Sequence, residues 1–386
     1  MLSRQLGKKL LEFETPFYLY DIALLRQTLE SVAYESQRYG YKVHYAVKAN
    51  YDDRLLAIIR EYGIGIDCAS GNELRKAIEA GFEPKGIVYA GVGKRDKELR
   101  YAISQDILAI NCESVEELEV VNELAREAGR KVDIGLRINP DIDPKTNHCI
   151  DTGQADSKFG ISYEEVLENA ERIKSLENLN IVGVHLHIGS QIRELHVFEN
   201  MCNKVNVIVR NLDSLGFSIN FVDLGGGLGI NYDMPENEPI PNFASFFAIV
   251  RNHLDIGDRE VHFEFGRAIV GECGELITKV LFNKTTATGR RLVIVDASMT
   301  ELIRPALYGS YHNIENITSE DAAEVKYTIV GTACESTDVF DENIGLRRTR
   351  RGDLLAIKSA GAYGMSMASR YNLHDIPSAV YSDDLL

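Results

Sequence analysis

The chain has 386 residues, is 45% hydrophobic and 26% charged, and carries a formal net charge of −16. That is length and apolar content enough for a large barrel with an appended domain. The acidic balance argues against nucleic acid or an anionic membrane as the main partner, while leaving room for a local cationic pocket. Cysteines at 68, 112, 149, 202, 273 and 334 form no C-x-x-C pair, which argues against a metal knuckle or a disulfide framework. The opening run MLSRQLGKKLLEFETP lacks an apolar h-region, and no stretch is long and apolar enough to span a bilayer. A cytoplasmic protein with reduced thiols and no membrane partner is the expectation.

In chain order, the run at 16–20 precedes the first strand–helix unit and is a candidate to pair with it. From 44 to 270, short β-branched runs alternate with amphipathic ones. Strands are expected at 44–50, 65–70, 86–91, 109–114, 133–140, 181–189, 219–227 and 260–266. Helical runs include 72–80, 115–128, 164–175 and 200–215, where apolar residues recur at three- and four-residue spacing. Such alternation implies parallel βαβ units, and eight of them imply a (β/α)8 barrel, with a doubly wound open sheet as the alternative. The polar stretch 141–158 is longer than an ordinary connection, which points to function. Beyond 270 the runs 276–283, 291–297, 325–332 and 353–359 read as strands with little helix between them. The expected division is a barrel over 21–270 and a β domain, sandwich or barrel, built from 1–20 and 271–386.

In a barrel enzyme the site lies at the C-terminal ends of the strands. Lys48 ends the first, in HYAVKAN, where desolvation would lower its pKa and free its amine as a nucleophile. A snorkelling lysine at a strand end is the competing reading. Asp67 and Ser70 end the second strand, Asn111 and Glu113 the fourth, Arg137 and Asn139 the fifth. His187 and Ser190 follow the sixth. His185 shares a strand face with His187 and reads as a buried structural residue; no acid accompanies the pair in sequence, so no metal site is expected. Gly225, Gly226 and Gly227 follow the seventh strand, where converging backbone N–H groups suit a phosphate. Glu264 and Arg267 follow the eighth, as a local ion pair or as a partner for a ring nitrogen. A lysine amine, an anion cradle and a carboxylate for a pyridine nitrogen together fit pyridoxal phosphate.

These residues sit in runs that resemble the fold-type III pyridoxal-phosphate decarboxylases, with their alanine racemase-like architecture. The runs are YAVKAN (45–50), GIDCASGNEL (65–74), LRINP (136–140), TGQADSKFG (152–160), HLHIGSQI (185–192), DLGGGLGI (223–230), EFGR (264–267), IRPALYGSYH (303–312), CESTDVF (334–340) and GAYGMSMASRYN (361–372). They span nearly the whole chain in the family's order. The resemblance implies decarboxylation of a small amino acid, with meso-2,6-diaminopimelate the substrate that fits best and ornithine, arginine or carboxynorspermidine the alternatives. It implies that Lys48 carries the cofactor and that His187 stacks on its ring. Asp67, Ser190, Gly225–Gly227 and the loop of Glu264, Phe265, Gly266 and Arg267 hold the rest of it. Arg267, Arg304 and Tyr308 would take the carboxylate that is kept, Glu335 the distal amine, and Tyr363 both cofactor and substrate. Cys334 would give the proton, and Cys334 and Glu335 would reach the site of the partner subunit, so that a homodimer shares its sites. Two departures stand out. Phe265 occupies the place of the family's usual proline, and the segment after Asn372 is short, which puts the last strand of the β domain in question but not the site.

Overall fold

The computed structural model describes residues 2–140, 142 and 157–385. Most of the 141–158 stretch, Cys149 and much of TGQADSKFG lie outside the described residues. The chain divides into two compact units, one of Leu29–Gly229 with Asn242–Gly266, the other of Met1–Thr28, Ile230–Pro241 and Arg267–Leu386.

The strands in chain order are β1 (Phe17–Tyr20), β2 (Lys42–Ala46), β3 (Gly65–Cys68), β4 (Ile87–Tyr89), β5 (Ala109–Cys112), β6 (Val132–Asn139), β7 (Ile161–Ser162), β8 (Leu179–His185), β9 (Phe221–Asp223) and β10 (Glu260–Phe265). They continue with β11 (Gly274–Thr285), β12 (Arg291–Val295), β13 (Ile314–Asn316), β14 (Glu324–Val330), β15 (Val339–Arg347), β16 (Leu354–Ile357) and β17 (Ser378–Tyr381). Strands β2, β3, β4, β5, β6, β8, β9 and β10 pair in parallel around a closed ring, and β7 pairs with the last two residues of β6. The open-sheet alternative is thereby set aside. Side chains such as Asp52, Ser70 and Ser114 cap the helices that follow β2, β3 and β5, which fixes where each strand stops and its turn begins.

Three expectations are corrected. The first strand ends at Ala46, not 50; Val47–Ala49 is a 3-10 turn, pinned by the Tyr45 hydroxyl donating to the Asn50 carbonyl at 2.8 Å. The run 164–175 is two short helices, Tyr163–Glu168 and Ala170–Lys174, because the Asn169 side chain donates to the Glu165 carbonyl and Asn169 leaves helical geometry. The eighth strand is followed by a four-residue helix, Arg267–Val270, rather than a full crossover helix; the long helix Ile22–Tyr39 precedes the first barrel strand instead.

Strand β10 shows how the barrel is filled. Its alternate residues Phe263 and Phe265 pack with Phe243, Phe246 and Phe247 of the helix Phe243–His253, at ring separations from 5.1 to 6.0 Å. Its other residues, His262 and Glu264, point the opposite way, as period-two geometry requires. His262 stacks on Phe221 at 4.8 Å and hydrogen-bonds His44 at 3.0 Å. Gly183 makes room for this lower layer, since a Cβ there would meet the Phe221 ring at 2.2 Å. Glu264 occupies the layer above.

In the other unit the sheet order is β13-β16-β11-β12-β14-β15, with β1 attached to β11 and β17 attached to β1. The run at 16–20 therefore does not pair with the barrel. It lies antiparallel to β11 and parallel to β17, beneath a cluster of Leu6, Leu10, Phe17, Leu19, Ile277 and Val380. The final strand questioned from sequence is present as β17.

Phe265 is 1% exposed within the aromatic cluster. Phe265→Ala should therefore cost about 3–5 kcal/mol of stability. Urea denaturation followed by circular dichroism checks this; a loss below about 1 kcal/mol would show that the ring does not hold helix to strand.

Candidate active site

The upper layer of the barrel gathers acids. Asp67, Asp223 and Glu264, from β3, β9 and β10, are 1%, 0% and 5% exposed. His185, on β8, is 1% exposed, and its Nε2 lies 3.1 Å from Glu264 Oε2. One ligating atom each from His185, Asp223 and Glu264 lie within 4.8 Å of one another. His185 thus does meet acids, from other strands, and is more than a filler of the core.

Lys48 reaches this layer from the 3-10 turn, with Nζ 3.3 Å from Asp67 Oδ2. It is not desolvated as expected, for its side chain is 42% exposed. What distinguishes it is an acid partner rather than burial. Burial and the neighbouring Glu264 push the Asp67 carboxyl up to about 7, with Lys48 pulling the other way. Burial likewise lowers His187 well below the ordinary imidazole value, helped by Lys48 and Arg137, so this ring is neutral. Its Nδ1 accepts the Gly226 N–H at 3.2 Å, which places any ring proton on Nε2.

The glycine turn is tighter than an open anion cradle. Gly225 has φ +66° and gives its N–H to Asp223 Oδ1 at 2.9 Å. A Cβ on Gly226 would sit 2.2 Å from the Glu264 carbonyl oxygen. These glycines are needed first for close backbone approach, and the N–H groups of Gly225 and Gly226 already have internal acceptors. Phe265 turns its ring into the aromatic cluster, so only its backbone is available to a ligand. Ser70, singled out as a strand-end polar group, caps a helix, and Glu113 and Arg137 form a buried pair at 2.6 Å.

Four buried polar atoms here have no hydrogen-bond partner among the described residues: Asp67 Oδ1, Asp223 Oδ2, Glu264 Oε1 and His185 Nδ1. Native interiors rarely leave such groups bare except at functional sites. A lysine amine beside a carboxylate, and a carboxylate oxygen lacking a donor, fit the needs of a pyridoxal group, which would take an amine at its carbonyl carbon and an acid at its ring nitrogen.

A second cluster lies within the other unit. Arg267 and Arg304 are 5% and 4% exposed. Arg267 donates to the Tyr232 hydroxyl at 2.5 Å, and its guanidinium stands 5.0 Å from the Tyr363 ring. Arg304 stands 4.8 Å from the Tyr232 ring and donates to His312 Nε2 at 2.7 Å, while His312 Nδ1 donates to the Lys358 carbonyl at 2.8 Å. Burial and the two arginines hold His312 down at about 3, so it serves as a neutral acceptor. Arg304 makes no ion pair among the described residues. Tyr308 ends the short helix that Arg304 begins, and Tyr363 sits in the left-handed region at φ +57°, a conformation costly for a tyrosine. Cys334 and Glu335 are exposed on a loop of this unit. The Cys334 N–H donates to Asn372 Oδ1 at 3.0 Å, and the Tyr371 hydroxyl donates to Glu335.

Asp223, Tyr232 and His312 were not singled out from sequence. Asp223 opens the DLGGG run, where the glycines drew the reading, and His312 closes IRPALYGSYH. Tyr232 lies in an irregular segment with no pattern to mark it.

A barrel with this polar end is the frame of a known enzyme class. Residues 25–271 match the family model described as "Pyridoxal-dependent decarboxylase, pyridoxal binding domain". The chain belongs to this family of decarboxylases. Within it, the chain is 46% identical to the diaminopimelate decarboxylase of Bacteroides thetaiotaomicron, over 97% of each chain. The crystal structure of diaminopimelate decarboxylase from Helicobacter pylori, complexed with L-lysine, matches 95% of this chain and 91% of its own with a TM-score of 0.89 at 39% identity. The diaminopimelate decarboxylase of M. jannaschii, also in complex with L-lysine, gives a TM-score of 0.89 at 33% identity, over 98% of this chain and 89% of its own.

Because Asp67 is raised from 3.8 to about 7, the folded state binds more protons than the unfolded one between those values. Stability should fall as pH rises through that window and level off above it. Asp67→Asn removes this contribution, so its stability curve should diverge from wild type between about pH 4 and pH 7. Parallel curves in denaturant titrations across that range would contradict the burial assigned to Asp67.

Proposed function

We propose that this chain decarboxylates meso-2,6-diaminopimelate to L-lysine and carbon dioxide, with pyridoxal 5'-phosphate as cofactor, in the cytoplasm and as a homodimer. The observation that carries the choice of substrate is the Arg267–Arg304 cluster. A buried guanidinium such as Arg304, faced by aromatic rings and a neutral histidine, is costly unless an anion joins it. Diaminopimelate keeps a second carboxylate after the first is lost, whereas ornithine and arginine keep none. The names of the relatives at 33–46% identity support the same substrate.

When bound, pyridoxal phosphate supplies an electron sink for the pair left behind by carbon dioxide. Lys48 Nζ is the amine that holds the cofactor, and Asp67 orients it. Neutral His187 covers one face of the ring, and Glu264 keeps a proton on the ring nitrogen. The glycine turn, Ser190 and the backbone from Phe265 to Arg267 serve the phosphate. Arg267, Arg304 and Tyr308 grip the retained carboxylate, Tyr363 closes against it, and Glu335 pairs with the distal ammonium. The Cys334 thiol gives the proton that replaces the departing carboxylate on carbon, so atoms and charge balance. Because L-lysine keeps the L centre, the carboxylate lost is that of the D centre. The exposure of Cys334 and Glu335 on their loop supports a role at the site of a partner subunit. No described helix is long and apolar enough to cross a membrane.

Carbon dioxide release should be seen with meso-diaminopimelate and be absent with L-lysine, ornithine and arginine when the four are assayed side by side. Turnover of ornithine or arginine in preference would overturn the substrate. Lys48→Ala and Cys334→Ala should each be nearly inactive, the latter by about 10²–10⁴ in rate with cofactor still bound. Mixed under conditions where subunits exchange, they should recover up to about a quarter of wild-type activity through heterodimers with one intact site. No recovery, with exchange verified by mass spectrometry, would rule out shared sites.

A further inference from the structure

Glu264 and Asp223 are buried in the upper layer of the barrel, with one carboxyl oxygen of each within 4.8 Å of the other, and Oε1 and Oδ2 have no donor among the described residues. Two such groups side by side in a medium of low dielectric cannot both be ionised. We propose that Asp223 holds the proton of this pair and donates it to Glu264, acting as a positioning residue that keeps Glu264 an ionised acceptor toward the cofactor ring.

The hydrogen bonds decide which partner is charged. Glu264 Oε2 lies 3.1 Å from His185 Nε2. His185 Nδ1 is buried and meets no acceptor. Nε2 is therefore the ring nitrogen that carries a proton toward Glu264 Oε2. Asp223 Oδ1 receives the Gly225 N–H at 2.9 Å. A proton on Asp223 Oδ2 would then serve both bare oxygens, and a hydrogen bond between the two side chains is among the causes that raise Asp223. Oε1 keeps a second lone pair for a ring N–H. The charged and titratable groups facing the pair are Lys48, Asp67, His44, His185, His187 and His262. Their balance agrees with the assignment: burial and the Glu264 charge push Asp223 well above the carboxylate range, while Glu264 is held well below it.

The role of Glu264 toward a cofactor rests on the function proposed above; the protonation of Asp223 does not. The test is infrared difference spectroscopy on the full-length enzyme at about pH 9, where Asp67, pushed up to about 7, is ionised and gives no such band, with and without cofactor. A protonated-carboxyl stretch should be present in wild type and lost in Asp223→Asn, whose amide copies the proposed acid in shape and as a donor. Glu264→Gln removes the neighbouring charge, so the band should titrate away at lower pH. Asp223→Asn should bind pyridoxal phosphate within about threefold of wild type, and Asp223→Ala at least about tenfold more weakly, because it strips a donor from a buried charge. Absence of the band in wild type, its survival in Asp223→Asn, or equal weakening by Asn and Ala would each overturn the assignment. These signals are read without turnover, so a wrong substrate would leave them standing.

Discussion

Three carboxyl groups placed where water does not reach are the constraint to which the upper barrel answers. An isolated buried carboxylate costs several kcal/mol, so each must find a cation, a donor or a proton. The protein uses a cation once and a donor twice. Asp67 meets the Lys48 amine, Glu264 meets the His185 ring, and Asp223 meets a backbone N–H. The lysine proposed to hold the cofactor is thus also a counter-charge for an acid it would otherwise be costly to bury.

The same economy shapes β10. Six residues hold an outer helix through Phe263 and Phe265 and build the interior through His262 and Glu264. Phe265, which departs from the family's usual proline, belongs to the outward set. Exchanging it changes how helix and strand pack while leaving the inward row untouched, which is why the departure is compatible with the site.

Much of the frame was legible from sequence. Barrel strands are short β-branched runs bounded by capped helices, and eight of them stood out before any coordinates. The polar residues at their ends were legible for the same reason, since a strand that stops on Lys, Asp or Glu breaks an apolar run. Parity across strands was not. Whether His185 faces Glu264 depends on the register of β8, β9 and β10, which no local pattern encodes. Strand β15, VFDENIGLR, has no pattern to mark it, because only Phe340 and Leu346 are buried and its sequence lacks alternation. The 3-10 turn that carries Lys48 looked like strand, for Tyr45 and Val47 have the composition of one. Asp223 carries no signal of its own, because the glycines beside it are the louder one.

The barrel closes by pairing β10 with β2, and the sheet of the other unit joins β1 to β17. Partners in both cases come from far apart in the chain. During synthesis, β1 waits for the last strand to emerge before its second edge is covered, and the ring stays open until β10 has left the ribosome. An exposed strand edge is a site for pairing with the wrong chain. Elongation rate and chaperone supply, more than the stability of the finished fold, should therefore govern how much of this protein a cell recovers.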